Sequence, residues 1–166
     1  MKIGIIVHSK TGNTYSVAEK LMKTLAAKGH IASIEQVEAY DNGQMDAIKV
    51  QLKSKPDISP YDVLIFGAPV HGFSPSVVME AYLTQLMAFP DKKAACYVTE
   101  FFPLPQMGGN QAIERMKEIC SSKGFDVIGT GVVNWSNIHR KGMIDNLAEK
   151  FSGLFMSLSE CKEGSK

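Results

Sequence analysis

The chain alternates between short runs of apolar, β-branched residues and longer stretches in which apolar residues recur every three or four positions. The short runs are typical of strands buried on both faces, and the wider spacing is typical of amphipathic helices. The runs predict strands near 2–8, 31–37, 62–67, 94–99 and 126–133. The helical spacing predicts helices near 13–28, 43–53, 75–88, 110–123 and 142–158.

This alternation predicts an α/β fold in which a parallel sheet is covered by helices on both faces. A length of 166 residues suits one domain, and no linker or repeat interrupts the pattern. We therefore expect a single domain over 1–159 and a polar tail over 160–166. In open parallel sheets ligands bind at the carboxyl ends of the strands, so the loops at that edge form the candidate site.

The loop after the first strand is short, polar and rich in hydroxyl groups, and it leads directly into a helical pattern. It consists of Ser9, Lys10, Thr11, Gly12, Asn13 and Thr14. A helix N-terminus carries unpaired N–H groups and a partial positive charge, and hydroxyl side chains add further donors. The loop therefore predicts a phosphate site. The alternative is an ordinary turn that is rich in Ser and Thr.

The spacing of this loop matches neither the Walker A motif nor the dinucleotide motif Gly-x-Gly-x-x-Gly. It resembles the FMN phosphate loop of the flavodoxins. The positions that match the pattern of that family are Ile5, Ile6, Ser9, Gly12, Thr14, Ala18 and Leu21. Val7 departs from it, because an aromatic residue is usual there, but a strand position hardly affects the phosphate site.

The resemblance implies a flavodoxin-like three-layer αβα sandwich with a five-stranded parallel sheet in the order 2-1-3-4-5. It also implies FMN as the cofactor, with its phosphate in the first loop and its ring between the loops after strands three and four. The ring contacts expected after strand three are Ala68, Pro69, Val70, His71, Gly72 and Phe73. Those expected after strand four are Thr99, Glu100, Phe101, Phe102 and Gly108.

Within these loops the resemblance implies finer roles. The peptide at His71-Gly72 or Gly72-Phe73 would flip so that its carbonyl accepts a hydrogen bond from reduced flavin N5. Phe101 or Phe102 would stack on the ring, and the alternative for Phe102 is that it fills the core. The long apolar segment from Phe101 to Met107 would floor or cover a substrate site, with Gly108 and Gly109 as its hinge.

Several aromatic and titratable residues near these loops have two readings. A His71 cation near flavin N1 would favour the negatively charged reduced cofactor, whereas the alternative is a solvated loop histidine. His8 and His139 are expected to be structural or solvated, and Lys10 either adds charge near the phosphate or faces water. Trp135 follows the outermost strand, which favours edge packing or a partner contact over contact with the cofactor.

Composition removes several classes of function. A formal charge of +1 without a basic stripe argues against nucleic-acid binding. No apolar run is long enough for a membrane span, and no leader segment precedes the first strand. Cys96, Cys120 and Cys161 are widely separated and form neither a metal-ligand pair nor a disulfide framework, which suits the cytoplasm.

Three functions stay open at this stage, because a fold alone does not decide function. The first is FMN-dependent electron transfer to a redox partner protein or a small-molecule acceptor. The second is an FMN-dependent NAD(P)H:quinone or nitro-type reductase, and the third is a non-catalytic regulatory domain. Flavodoxins are usually strongly acidic, whereas this chain is nearly neutral, so we expect weak electrostatic steering of a partner.

Overall fold

The computed structural model describes residues 1–102 and 108–163, with side chains as far as 159. Within these residues, five long strands and four α-helices alternate, and three short strands and one 3-10 helix lie between them. The strands are β1 Lys2–Val7, β2 Ile31–Gln36, β3 Glu38–Ala39, β4 Leu52–Ser54, β5 Val63–His71, β6 Ser74–Pro75, β7 Lys93–Glu100 and β8 Asp126–Asn134. The helices are α1 Asn13–Ala27, the 3-10 helix Ala47–Lys49, α2 Val77–Gln85, α3 Gly109–Ser122 and α4 Arg140–Glu163.

The long strands form one parallel sheet in the order β2-β1-β5-β7-β8. This confirms the predicted order 2-1-3-4-5 and the flavodoxin-like fold class. The chain leaves β1 toward β2 on one side and later returns to β5 on the other side. The connections therefore diverge at the carboxyl ends of β1 and β5, which opens a crevice there.

Two apolar layers hold the helices against the sheet, and successive residues of β5 point into opposite layers. Leu64 and Phe66 pack in the layer beneath α2 and α3, whereas Ile65 packs in the layer beneath α1 and α4. All three side chains are fully buried. The molecule is thus a three-layer αβα sandwich, as expected.

The predicted helix over 43–53 is wrong. The segment contains a 3-10 helix of three residues, and its end pairs as β4 with β3 in a small antiparallel hairpin. Val50 turns inward, but Met45 and Ile48 are 84% and 94% exposed, so the apolar residues do not share one helical face. The Asp46 carboxylate accepts a hydrogen bond from the Ile48 N–H at 3.0 Å and so starts a turn that ends at Val50.

The start of the next helix also differs from the prediction. Pro75 is not its first residue, because Ser74 and Pro75 form β6, which pairs antiparallel with the end of β5. Ser76 is the N-cap of α2, and its hydroxyl accepts a hydrogen bond from the Met79 N–H at 3.4 Å. This hairpin of β5 and β6, hereafter the β5–β6 hairpin, lies beside the crevice.

Two other predicted features have a defined place. Cys96 on β7 and Cys120 on α3 are both buried free thiols, and their sulfur atoms lie 3.8 Å apart. Helix α4 continues to Glu163, so the backbone of the first part of the predicted tail is helical. Across the described ranges, no helix is both long and apolar enough to cross a membrane.

Candidate functional site

A cavity of about 380 Å³ opens at the carboxyl ends of β1, β5 and β7, within the size range of small-molecule pockets. Three chain segments that are far apart in sequence meet there because their strands are neighbours in the sheet. The residues that line the cavity are Lys10, Thr11, Asn13, Thr14, Pro69, Val70, His71, Thr99, Glu100, Phe101 and Trp135. All of these except Trp135 were predicted as site residues.

The loop over 9–14, hereafter the phosphate loop, ends at the N-terminus of α1. Gly12 has a φ of +89°, which permits the sharp entry into the helix, and no atom lies within 4 Å of where its Cβ would stand. The Ser9 hydroxyl accepts a hydrogen bond from the Tyr15 N–H at 3.2 Å. Ser9 therefore binds an N–H group of the first helical turn rather than lining the cavity, whereas Lys10, Thr11, Asn13 and Thr14 of the same loop line it.

Thr14 anchors the phosphate loop to the sheet. Its hydroxyl oxygen lies 2.7 Å from that of Thr99, and both side chains are buried. Its carbonyl accepts a hydrogen bond of 2.8 Å from the Tyr97 hydroxyl. These contacts hold the start of α1 over the end of β7, so the Thr14 hydroxyl, which was expected to serve a ligand, already has a protein partner.

Tyr97 supports the site from below, and sequence reasoning did not single it out. The side chain is fully buried, and burial raises the pKa of its phenol. Gly67 is its register partner on β5, and a Cβ at Gly67 would come within 2.2 Å of the Tyr97 ring. Gly67 therefore provides the space for this ring.

The β5–β6 hairpin forms the second wall of the cavity. Its two-residue loop has a positive φ at Gly72 (+65°) but not at Phe73, as in a type II′ turn. Pro69, Val70 and His71 line the cavity, whereas Phe73 is 65% exposed and does not. Ala68 lies buried in the sheet, below the cavity.

The third wall is the end of β7 with the residues that follow it. Phe101 lines the cavity and Phe102 does not, although both are largely exposed. At the far end of the connecting segment, Gly108 has a φ of +139° and approaches the β5–β6 hairpin so closely that a Cβ would lie 2.8 Å from the Gly72 carbonyl oxygen. The residues 103–107, to which we assigned a cover over the site, lie outside the described residues.

Glu100 carries a buried carboxyl group beside the cavity. One of its oxygens accepts a hydrogen bond from the Gly109 N–H at the start of α3, at 2.8 Å. The other oxygen has no hydrogen-bond partner among the described residues. Burial raises the pKa of this carboxyl, and the Gly109 N–H opposes that rise.

Two histidines border the site, and both have lowered pKa values. His8 is buried and its Nδ1 lies 2.7 Å from the Ser76 hydroxyl, with burial and then the charge of His71 lowering its pKa to about 4. Burial and then the Lys10 ammonium lower the pKa of His71. Without an anionic ligand both imidazoles are therefore neutral at neutral pH, and the expected effect of a His71 cation stays a prediction.

Trp135 completes the lining from the loop between β8 and α4. Its backbone N–H donates to the Glu100 carbonyl at 2.7 Å, so the loop is tied to the end of β7. The sequence favours edge packing or a partner contact for this residue, because it follows the outermost strand. The structure shows packing together with a place in the site: Trp135 is partly buried against the apolar layer beneath α1 and α4, and it lies beside Glu100 and Phe101 in the cavity wall.

No protein-family profile matches the chain, and no curated protein matches it in sequence. Solved structures match its fold over most of its length. Oxidised flavodoxin 2 from Bacillus cereus has a TM-score of 0.66 at 20% identity and covers 92% of this chain and 99% of its own. A flavoprotein in complex with FMN from Lactobacillus acidophilus has a TM-score of 0.62 at 18% identity, over 89% and 98%.

A third similar structure carries a different name. It is the flavodoxin, WrbA-like protein from Agrobacterium tumefaciens, with a TM-score of 0.65 at 11% identity, covering 92% of this chain and 96% of its own. At these identities the likeness establishes a flavodoxin-like fold. What the cavity binds has to be argued from its own residues.

Proposed function

We propose that the protein binds FMN in the cavity at the ends of β1, β5 and β7 and acts in electron transfer. One observation carries this proposal. The phosphate loop, at a helix N-terminus, opens into a cavity of about 380 Å³ that lies between the β5–β6 hairpin and the end of β7. A similar structure, from Lactobacillus acidophilus, is described in complex with FMN. FMN supplies redox chemistry when bound, and the protein supplies position and electrostatics.

The phosphate end of the cavity suits a dianion. N–H groups at the start of α1 and the hydroxyl of Thr11 are donors, and Lys10 adds a positive charge at the same rim. Gly12 leaves open space where a side chain would stand, so a phosphate oxygen can approach the backbone. Among the described residues that line the cavity, only Glu100 carries a carboxyl group, and it lies at the end of β7.

The ring end suits a flat heterocycle with polar edges. Pro69 and Val70 offer an apolar surface on one side, and Phe101 and Trp135 offer aromatic surfaces on the other. Thr99 and Glu100 also line the cavity, and the Glu100 carbonyl already accepts the Trp135 backbone N–H. The donor set, the size and the apolar walls therefore fit FMN, and Ser9, Gly72 and Gly108 serve by shaping the loops that hold it.

The phosphate assignment can be tested by comparing FMN with riboflavin, which lacks the phosphate. Thr11 is exposed, so neither Thr11→Glu nor its uncharged control Thr11→Gln disturbs the core. We expect Thr11→Gln to weaken FMN binding modestly, because it removes one hydroxyl donor, and Thr11→Glu to weaken it by at least roughly a further tenfold through charge repulsion. Flavin fluorescence gives both affinities. Equal effects of Thr11→Glu on FMN and riboflavin would contradict the assignment.

An FMN-dependent NAD(P)H reductase is the second candidate. It is favoured by the exposed Phe73, Phe101 and Phe102 side chains around the mouth of the cavity, which offer an apolar platform for a second planar ligand. Anaerobic reduction separates the two. Direct bleaching of the flavin by NAD(P)H indicates the reductase, whereas a radical EPR signal at half reduction, with no reaction toward NAD(P)H, indicates the electron carrier.

A further inference from the structure

The loop between β8 and α4 holds Trp135 in place through contacts at several points. The Arg140 guanidinium lies over the indole ring, with Cζ 4.5 Å from the ring centroid, and its Nη1 donates to the Trp135 carbonyl at 2.6 Å. The backbone N–H of Trp135 donates to the Glu100 carbonyl at 2.7 Å. The Arg140 guanidinium thus lies over the ring, while Arg140 and the end of β7 together hold the Trp135 backbone.

The neighbouring residue reinforces this arrangement. Asn134 is buried, and its side-chain oxygen accepts hydrogen bonds from the Ser136 N–H at 3.0 Å and the Ser136 hydroxyl at 2.9 Å. Its side-chain nitrogen donates to the Phe102 carbonyl. The loop therefore binds β7 and the residues after it at two places, through Trp135 and through Asn134, and a ring held in this way is pre-organised for a ligand.

The charge beside the ring is not paired with a carboxylate of the described residues. No salt bridge to Arg140 is found within residues 1–102 and 108–159, an arrangement that it shares with Lys92, Lys123 and Lys150, whose ammonium groups also bond to backbone carbonyls. The guanidinium is half-buried and bonds to a neutral carbonyl. A cation that is partly desolvated and not neutralised keeps its positive potential in the direction of the cavity that Trp135 lines.

We propose that Trp135 is a contact residue for the planar part of the cofactor, and that Arg140 is a positioning residue that fixes the indole ring and adds positive potential to the site. This inference rests on the proposed FMN site and goes beyond it. It assigns a third aromatic wall from the β8–α4 loop, in addition to the segments after β5 and β7. It also assigns a cation that favours a cofactor which gains negative charge on reduction.

Variants of Trp135 test the contact. We expect Trp135→Ala to weaken FMN binding roughly tenfold, because stacking on an aromatic side chain is of that size, and Trp135→Phe to restore part of the loss. The circular dichroism of the bound flavin should change in both variants, since it reports the asymmetric surroundings of the ring. Tyr40→Ala is the matched control, because Tyr40 is an exposed aromatic residue that does not line the cavity.

Variants of Arg140 test the electrostatic role. Arg140→Met keeps an apolar chain of similar reach over the indole but removes the charge, so we expect a more negative midpoint potential for the bound flavin. Arg140→Lys keeps the charge and should retain most of the potential while losing the bond geometry that orients the ring. A purely structural role would change folding stability in both variants and leave the potential unmoved.

Each outcome has a distinct meaning. Wild-type protein that binds no FMN overturns the proposed function and this inference with it. Wild-type protein that binds FMN, combined with unchanged affinity and unchanged flavin dichroism in Trp135→Ala, overturns only the contact. An unchanged potential in Arg140→Met overturns the electrostatic role. Since Trp135 is the only Trp in the chain, its fluorescence also reports whether each Arg140 variant keeps the indole in place.

Discussion

The hydroxyl pair of Thr14 and Thr99 is the contact that joins the phosphate loop to the sheet. Both side chains are buried, and their oxygens lie 2.7 Å apart, so each is the polar partner of the other. Thr99→Val keeps the shape but leaves the Thr14 hydroxyl without that partner, and we expect the free energy of unfolding to fall by about 1–3 kcal/mol. Urea denaturation of the apoprotein measures the loss.

The double variant Thr14→Val with Thr99→Val separates this contact from simple loss of polarity. Removing both hydroxyls leaves no unpaired group, so we expect the double variant to lose clearly less stability than the sum of the single variants. Additive losses would mean that the two hydroxyls do not depend on each other. FMN affinity should still fall, because of the two contacts described only the hydrogen bond from the Tyr97 hydroxyl to the Thr14 carbonyl then ties the start of α1 to β7.

His8 gives the molecule a pH-dependent stability. Its pKa is about 4 in the folded protein and 6.5 in the unfolded chain, because burial opposes the cation. The unfolded state therefore binds more protons between these values, and stability is lost as pH falls through that window. We expect this group to remove about 3 kcal/mol over the window, measured as the free energy of unfolding.

His8→Asn is the variant that isolates this effect, because Asn can replace Nδ1 as the partner of the Ser76 hydroxyl without titrating. We expect its free energy of unfolding to fall less steeply with falling pH than that of the wild type. The remaining slope comes from His30 and His71, whose pKa values are lowered in the same direction, and is opposed by Glu100, whose pKa is raised by burial. An identical slope in both proteins would show that His8 is not the titrating group.

Individual residues also show where sequence reasoning stops. The hydroxyl-rich pattern of the phosphate loop is local and was visible in the sequence. The pairing of Gly67 with Tyr97 is a matter of register between two strands about thirty residues apart, and no local pattern encodes it. Trp135 was ambiguous for the same reason, because only the tertiary path of its loop brings it to the cavity.

At the scale of elements, the two ends of α1 offer a matched comparison. Gly12 before the helix and Gly29 after it have φ values of +89° and +83°, and neither has an atom within 4 Å of the Cβ position. An Ala at either position meets backbone strain without a clash, so we expect each variant to lose roughly 1–2 kcal/mol of unfolding free energy. Thermal or urea denaturation measures both.

Only one of these two variants should affect the cofactor. Gly12 lies in the phosphate loop, where an added methyl group occupies the space that a phosphate oxygen needs, whereas Gly29 lies at the far end of the helix. We expect Gly12→Ala to weaken FMN binding and Gly29→Ala to leave it unchanged. Equal losses of affinity would mean that general destabilisation, rather than the loop, controls binding.

Elements whose apolar residues fit a single periodicity were predicted correctly. The segment 43–53, whose apolar residues do not share one face, was not. The β1 run and the α1 spacing each fit a single periodicity, and both elements lie where we expected them. The segment 43–53 carries apolar residues at spacings that fit a helix, but Met45 and Ile48 face outward. A short turn that begins at Asp46 provides hydrogen bonds for the backbone of this segment instead of a helix. Whether the segment forms a turn or a helix depends on the pairing of β4 with β3.

At the scale of the whole molecule, the strand order could be predicted from the resemblance of one loop. Neither that resemblance nor the strand order predicts whether the protein is an electron carrier or a reductase. The sheet order and the position of the crevice are fixed by connections that parallel strands must make. Both candidate functions would use the same crevice, so their difference lies in what can approach its mouth. A nearly neutral surface, with a formal charge of +1, gives no strong field that selects a partner by sign.

Binding of the cofactor should be coupled to the stability of the fold. A ligand that binds only the folded state stabilises it by mass action, so FMN at about a hundred times its dissociation constant should add about 2.7 kcal/mol to the free energy of unfolding. Riboflavin at the same concentration should add less, because it cannot use the phosphate loop. Denaturation with each ligand measures this, and equal stabilisation would mean that the ring carries the binding while the loop at α1 contributes nothing.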